Sequence, residues 1–251
     1  MTNQELLLEI ERLKKENLEL KGVKIESPEI PTFSFSKIDD TDLEQFLDIE
    51  IVDDETIFNQ WFDNDIVVDK KTVEFLENLI KKEKRYIRYY NEEDLKVNFI
   101  VPIINLVDFK TIDENIRAFY EERLTYKNER FIFSGTVDFM VSKGFKRPKE
   151  PYFFIQEFKK RIKPTDPEPQ LIAQMISAVE LNKTTTIKGA FITGAIWNFV
   201  ILEKLEVDKY RYFLSDSFDS VKIEDLTKIY KNLQFVKYEI KKMVRGENND
   251  K

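Results

Sequence analysis

The chain of 251 residues has no histidine and no cysteine. Without imidazole there is no Ser-His-Asp hydrolase, no histidine-metal nuclease and no ordinary zinc hydrolase. Without thiols there is neither a disulfide frame nor a thiolate metal site, and nothing points to secretion. Chemistry, if there is any, must use carboxylates, lysine, tyrosine, hydroxyls or amides, an inventory that suits hard oxygen-ligated cations such as magnesium. Only six glycines and eight prolines interrupt the chain, so it is not a low-complexity sequence. Apolar runs such as Gly189 to Leu202 are short of a bilayer span, and the polar start does not read as a signal peptide. The expectation is a cytoplasmic protein with no membrane segment.

What is present is a substantial core. Hydrophobic residues make up 42% and aromatics 13% of the chain, enough for one large domain and an appendage. The net charge is −7, so any site for a polyanion must be a local patch. The appendage is the N-terminal stretch 1–22. Leu6, Leu13 and Leu20 recur at heptad position d, with Asn3, Ile10 and Asn17 at a. Glu9 and Glu16 at g and Lys14 and Lys21 at e then predict a parallel coiled-coil homodimer through residues 3–21.

Residues 23–90 read as a proline-bearing linker followed by helical pieces packing on the domain that follows. That domain is expected to span 91–251. It opens with "NEEDLKVNFIVPIINLVDF", where Leu95, Phe99, Ile103 and Leu106 keep helical spacing and Pro102 should bend the helix. "TIDENIRAFYEERL" predicts another amphipathic helix. Strands are expected over Phe131–Val141, Pro151–Lys159, Lys188–Ala195, Trp197–Glu203 and Tyr210–Leu214, with helices near Glu168–Asn182 and at the C-terminal end. This order predicts an α/β fold, a central mixed sheet flanked by helices.

One strand carries an anomaly. In "YFFIQEFKK", Phe153, Ile155, Glu157 and Lys159 share a face by period-two alternation, so an apolar face ends in an acid and a base. Buried charge is costly unless it pairs or binds something. If the preceding strand is antiparallel, Asp138, flanked by Val137 and Phe139 on the other face, converges on Glu157. Two adjacent carboxylates repel, and a divalent cation would relieve that while polarising a phosphodiester. Lys159 would hold the attacking water or offset developing charge. Gln170 and Gln174, one helical turn apart, can present an amide to the same cleft.

An acid at one strand, Glu-x-Lys in the next and a following glutamine helix together resemble the PD-(D/E)xK nuclease superfamily over roughly 91–214. The opening helix is similar to that of the N-terminal nuclease domain of type I restriction enzyme motor subunits. The resemblance implies a restriction-endonuclease-like core. It assigns Glu92, Asp138, Glu157 and the Phe158 carbonyl to Mg²⁺ or Mn²⁺, Lys159 to catalysis and Gln170 to the helix glutamine. "GTVDFMV" lacks the proline some members place before the acid, and Gln170 is followed four residues later by Gln174 rather than tyrosine, leaving the choice of glutamine open.

Lys143, Lys146, Arg147 and Lys149 in the loop and Lys160, Arg161 and Lys163 after the motif bracket the expected site, as a phosphate-backbone footprint requires. Lys81, Lys82, Lys84, Arg85 and Arg88 can extend it, whereas Tyr86, Tyr89 and Tyr90 read as packing aromatics. The expectation is a dimeric, Mg-dependent endonuclease acting on DNA. The alternative is an inactive nuclease-fold adaptor that binds nucleic acid or a partner protein.

Overall fold

Between Phe131 and Leu214 the sequence predicts five strands interrupted by one helix, and strands form where they are predicted. The computed structural model describes residues 30–160 and 166–246. The heptads of residues 3–21, and with them the coiled coil, lie outside the described residues, as do Arg161 and Lys163.

Four long strands carry the pattern: β4 (Ile132–Lys143), β5 (Lys149–Lys159), β6 (Thr186–Thr193) and β7 (Ile196–Glu206). β8 (Lys209–Leu214) follows β7 antiparallel, and the short β9 (Phe218–Asp219) pairs with the start of β7. β5 and β6 are parallel, which requires a crossover. Helix α6 (Pro167–Asn182) supplies it. Asp166 caps that helix by accepting from the Glu168 N–H at 3.0 Å, and Pro167 opens its first turn. α6 is buried nearly all round, through Leu171, Ile172, Met175, Ile176 and Val179, each contributing roughly 1.5–3 kcal/mol. It lies unusually close to the sheet because β6 has no side chain at Gly189. A Cβ there would stand 2.8 Å from Met175 Sδ and 3.0 Å from the Ile155 carbonyl.

The segment expected to carry a linker and helical pieces packing on the domain forms, from Thr32 onward, one compact unit with it. β1 (Thr32–Ser34) pairs in parallel with β4, and β2 (Asp48–Ile51) pairs in parallel with β8 at the far edge. Between them stands α1 (Asp40–Glu44). α2 (Asn59–Phe62) and α3 (Lys70–Glu83) then cover one face, Trp61 donating its indole N–H to the Asn232 carbonyl at 2.9 Å. The result is a mixed α/β fold, a nine-stranded mixed sheet flanked by helices. One apolar layer packs the sheet against α2, α3 and the C-terminal α7 (Ile223–Arg245), and the other packs it against α6 and α1.

"TIDENIRAFYEERL" is not a helix. Its core is β3 (Ile116–Lys127), antiparallel to β4 over its whole length. The helical spacing was deceptive for a physical reason. In β3, Ile116, Ala118 and Tyr120 face the α7 layer, yet Leu124 and Tyr126, of the same parity, face the α6 layer. In β4, Val137 lies in the α6 layer and Phe139 in the other. They do not share a face, as simple alternation predicted. Both strands slip phase by one residue at the facing pair Glu121 and Asp138. Glu121 has φ of 53°, a left-handed conformation that costs a non-glycine residue about 1 kcal/mol or more.

Phe153 also leaves its expected face. Val141 pairs with Phe154 but Ser142 pairs with Tyr152, so Phe153 is the extra residue of a bulge and packs in the α7 layer while Ile155 packs in the other. Ahead of β3, the predicted helix is present as α4 (Glu92–Leu95), a π turn over Lys96–Ile100 and α5 (Val101–Val107). Pro102 sits in the first turn of α5, where a missing N–H is tolerated, and the π turn absorbs the break.

Candidate active site at a fork in the sheet

β4 has two edges. β3 occupies one completely, and the other is shared by β1 over Ile132–Ser134 and β5 over Phe139–Lys143. Between them the edge is left open, and Asp138 lies in that gap. Continuing the register of Phe139 with Gln156 would set Asp138 opposite Glu157, but backbone pairing stops there. Asp138 Oδ2 instead accepts from the Phe158 N–H at 2.8 Å. The strands splay, and a carboxylate bridges the fork.

Across it, Glu157 Oε1 accepts from Lys159 Nζ at 2.6 Å and Oε2 accepts from Gln174 Nε2 at 3.0 Å. Glu157 and Gln174 are fully buried, and Asp138 is 8% exposed. Burial pushes Glu157 up to about 8, and the Asp138 charge adds to this while Lys159 and Gln174 oppose it. Asp138 is also raised by burial, against the pull of the Phe158 amide, Lys96 and Lys159. Burial lowers Lys159, but the carboxylates around it outweigh that and its ammonium is held above its ordinary range.

Glu92, at the start of α4, is half-buried. Burial raises its carboxyl, with Lys159 lowering it and Asp138 raising it, so it shares the field of the cluster. The structure therefore gathers Asp138, Glu157 and Lys159 into one cluster, with Glu92 within reach of its charges. The glutamine that meets Glu157 is Gln174. Gln170, one turn earlier on α6, is buried, but the amide within hydrogen-bond reach of the acid is the later one.

Sequence reasoning missed two members. Lys96 is 6% exposed, four residues after Glu92 and thus one turn along the same face. Its ammonium hydrogen-bonds Glu121, lies 3.8 Å from Asp138 Oδ1 and 3.7 Å from Glu93. Burial lowers it, yet these acids hold it above its ordinary range. The i, i+4 spacing of Glu92 and Lys96 was a usable signal. Glu121 was not findable while its strand read as a helix.

The basic loop does not bracket the site. Lys143, Lys146, Arg147 and Lys149 lie at the closed end of the β4–β5 hairpin, while Asp138, Glu157 and Lys159 lie towards its open end. Eight residues of strand, about 26 Å, separate Lys149 from Glu157. Among the described loop and motif cations, Lys160 alone adjoins a cluster member in sequence, Lys159.

The donor set suits a hard cation. Asp138, Glu157 and the Phe158 carbonyl offer oxygen ligands, and Gln174 Oε1 is buried beside them with no hydrogen-bond partner. Among the described residues no three acidic side chains form a ready-made cage. Two carboxylates raised by burial, Glu157 further by the Asp138 charge and Asp138 by Glu121, are nevertheless groups whose ionised forms a cation would favour.

No family model matches the chain, and no curated protein matches it. A solved structure titled "Crystal structure of SSO0001" aligns over 72% of this chain and 86% of that chain, at 13% identity and a TM-score of 0.20. So slight a likeness carries no argument about fold or function.

Proposed function

We propose that the protein is a divalent-metal-dependent nuclease with a restriction-endonuclease-like core, hydrolysing phosphodiester bonds of DNA. The observation that carries this reading is the convergence, at the fork, of Asp138 and Glu157 from two splayed strands with Lys159 2.6 Å from Glu157. Asp138, Glu157 and the Phe158 carbonyl would hold Mg²⁺ or Mn²⁺, with Glu92 as a further carboxylate of the same field. Bound there, the cation would supply Lewis-acid polarisation of the phosphodiester and a more acidic water.

The chain's own residues do the rest. Lys159 stays cationic, so it orients water and offsets charge on the phosphoryl oxygens as the new P–O bond forms and the old one breaks. It does not act as a base. Gln174 fixes the plane of the Glu157 carboxylate, and the Phe158 amide fixes Asp138. Lys96, held by Glu121, adds a second fixed positive charge on the Asp138 side. Heptads at residues 3–21 support a dimer that would present two such clefts to opposed strands.

The test is direct. Purified protein with Mg²⁺ or Mn²⁺ should cut or nick DNA, and Asp138→Ala and Lys159→Ala should not. Cleavage unchanged in both variants sinks the site assignment. One observation favours a second reading, a nuclease-fold protein that binds nucleic acid without cutting it: Lys96 already places a cation 3.8 Å from Asp138, where a metal would otherwise be needed. Salt-sensitive DNA binding with no turnover in any divalent metal would select that reading.

A further inference from the structure

From the last turn of α3 towards α4 the chain reads "KKEKRYIRYY" from Lys81 to Tyr90, five cations and three tyrosines in a molecule of net charge −7. The tyrosines were expected to pack. Only Tyr90 is tied down, its hydroxyl donating to Glu83 Oε2 at 2.5 Å. Tyr86 is 58% exposed and Tyr89 78% exposed, on a 3-10 turn anchored by the buried Ile87. The five cations are exposed as well. The Tyr86 and Tyr90 rings stack at 6.4 Å with 16° between their planes, and the Arg88 guanidinium lies over the Tyr89 ring at 5.8 Å.

Two links tie this surface to the fork. Tyr89 precedes Glu92 by three residues, at most about 11 Å of chain. Lys84, Ile87 and Arg88 also line a cavity of about 540 Å³ together with Thr193, Ala195 and Ile196. Thr193 is the strand partner of Lys159, and the Gly194 N–H donates to the Lys159 carbonyl at 2.9 Å. The cavity wall, which also carries Asp219, thus reaches the backbone of Lys159.

We infer that Lys84, Tyr86, Arg88 and Tyr89 form a docking track for single-stranded nucleic acid, feeding an unpaired strand into the cleft. The chemistry selects this partner. Exposed tyrosine faces can stack only on bases whose own faces are open, and duplex stacking covers them, while interleaved cations hold the backbone of either form. What happens to the strand at its end rests on the nuclease reading; the docking itself does not.

The test is fluorescence anisotropy of labelled oligothymidylate and of a duplex of equal length, titrated with the full chain in EDTA. The single strand should bind more tightly. Tyr89→Ala should weaken it about five-fold or more, with an unchanged melting midpoint, and Tyr89→Phe should restore it. Arg88→Ala should lower the slope of log K against log salt by about 0.7. A Tyr86→Ala/Tyr89→Ala double variant that binds the single strand like the parent overturns the inference, and so does equal or tighter binding of duplex. Binding of neither oligonucleotide overturns it too, and leaves an acidic protein as the partner of this surface. Tyr89-dependent binding without cleavage in any metal keeps the track and removes the nuclease reading. Cleavage with Tyr89-independent binding does the reverse.

Discussion

The two ends of the β4–β5 hairpin carry similar densities of charge and treat it in opposite ways. At the turn, Lys146 and Arg147 are exposed to water. At the fork, Asp138, Glu157 and Lys159 are withdrawn from water and each is matched to a partner. Exposed charge costs a fold little, so its presence says little. Buried ionisable groups are expensive, and a chain that retains them has arranged neighbours around them. Charge density in a sequence therefore locates surface; charge inside an apolar strand locates chemistry.

The largest effect expected from breaking this contrast is on turnover. Lys159→Ala or Asp138→Ala should reduce DNA cleavage about 100-fold or more, as loss of a preorganised electrostatic group does. Lys146→Ala or Arg147→Ala at the turn should change it little in the same assay. An equal loss at both ends would erase the distinction.

Next is pH. The Glu157 carboxyl is pushed up to about 8 from 4.5, so between those values the folded, metal-free protein holds a proton that the unfolded chain releases. Its contribution to stability is full below about 4.5 and is lost as pH rises through 8. Melting of the metal-free protein should accordingly fall from pH 6 to pH 9, Glu157→Gln should flatten that slope, and added Mg²⁺ should restore most stability at the alkaline end. No such slope is expected from the exposed turn residues.

Gln174→Ala leaves Glu157 buried with one donor fewer and should destabilise the protein by about 1–3 kcal/mol in denaturant melts. The smallest effect separates strain from charge at Glu121. In a strand, alanine normally outranks glycine, but at φ of 53° the order should invert. Glu121→Gly should be more stable than Glu121→Ala by about 1 kcal/mol. The ordinary order would mean that the left-handed turn is not held in solution.

Period-two alternation made β4 to β8 legible, and with them Asp138, Glu157 and Lys159, because strand geometry fixes which side chains share a face. It failed where the backbone departs from regularity. The phase slip at Glu121 and Asp138 gave β3 a helix-like spacing and concealed Glu121. The bulge at Phe153 moved that ring to the other layer. Gln170 and Gln174 are equivalent in the pattern, and only the position of α6 along the sheet decides that Gln174 reaches the acid. The loop cations were placed by nearness in sequence, whereas an antiparallel hairpin sends its turn away from its open end. Tyr86 and Tyr89 read as packing aromatics because most aromatics pack. β1 and β2 went unseen because three- and four-residue strands are too short to show a period.

β1 has a mechanical consequence. It holds its place in the sheet through three residues, on the same edge of β4 that opens at Asp138, and its last partner, Ser134, is four residues from that acid. Tension applied at Thr32 would thus enter β4 within a few residues of the fork. The same load would pass through Phe33 and Phe35 into the α6 layer, so the carboxylate and the crossover helix share one anchor.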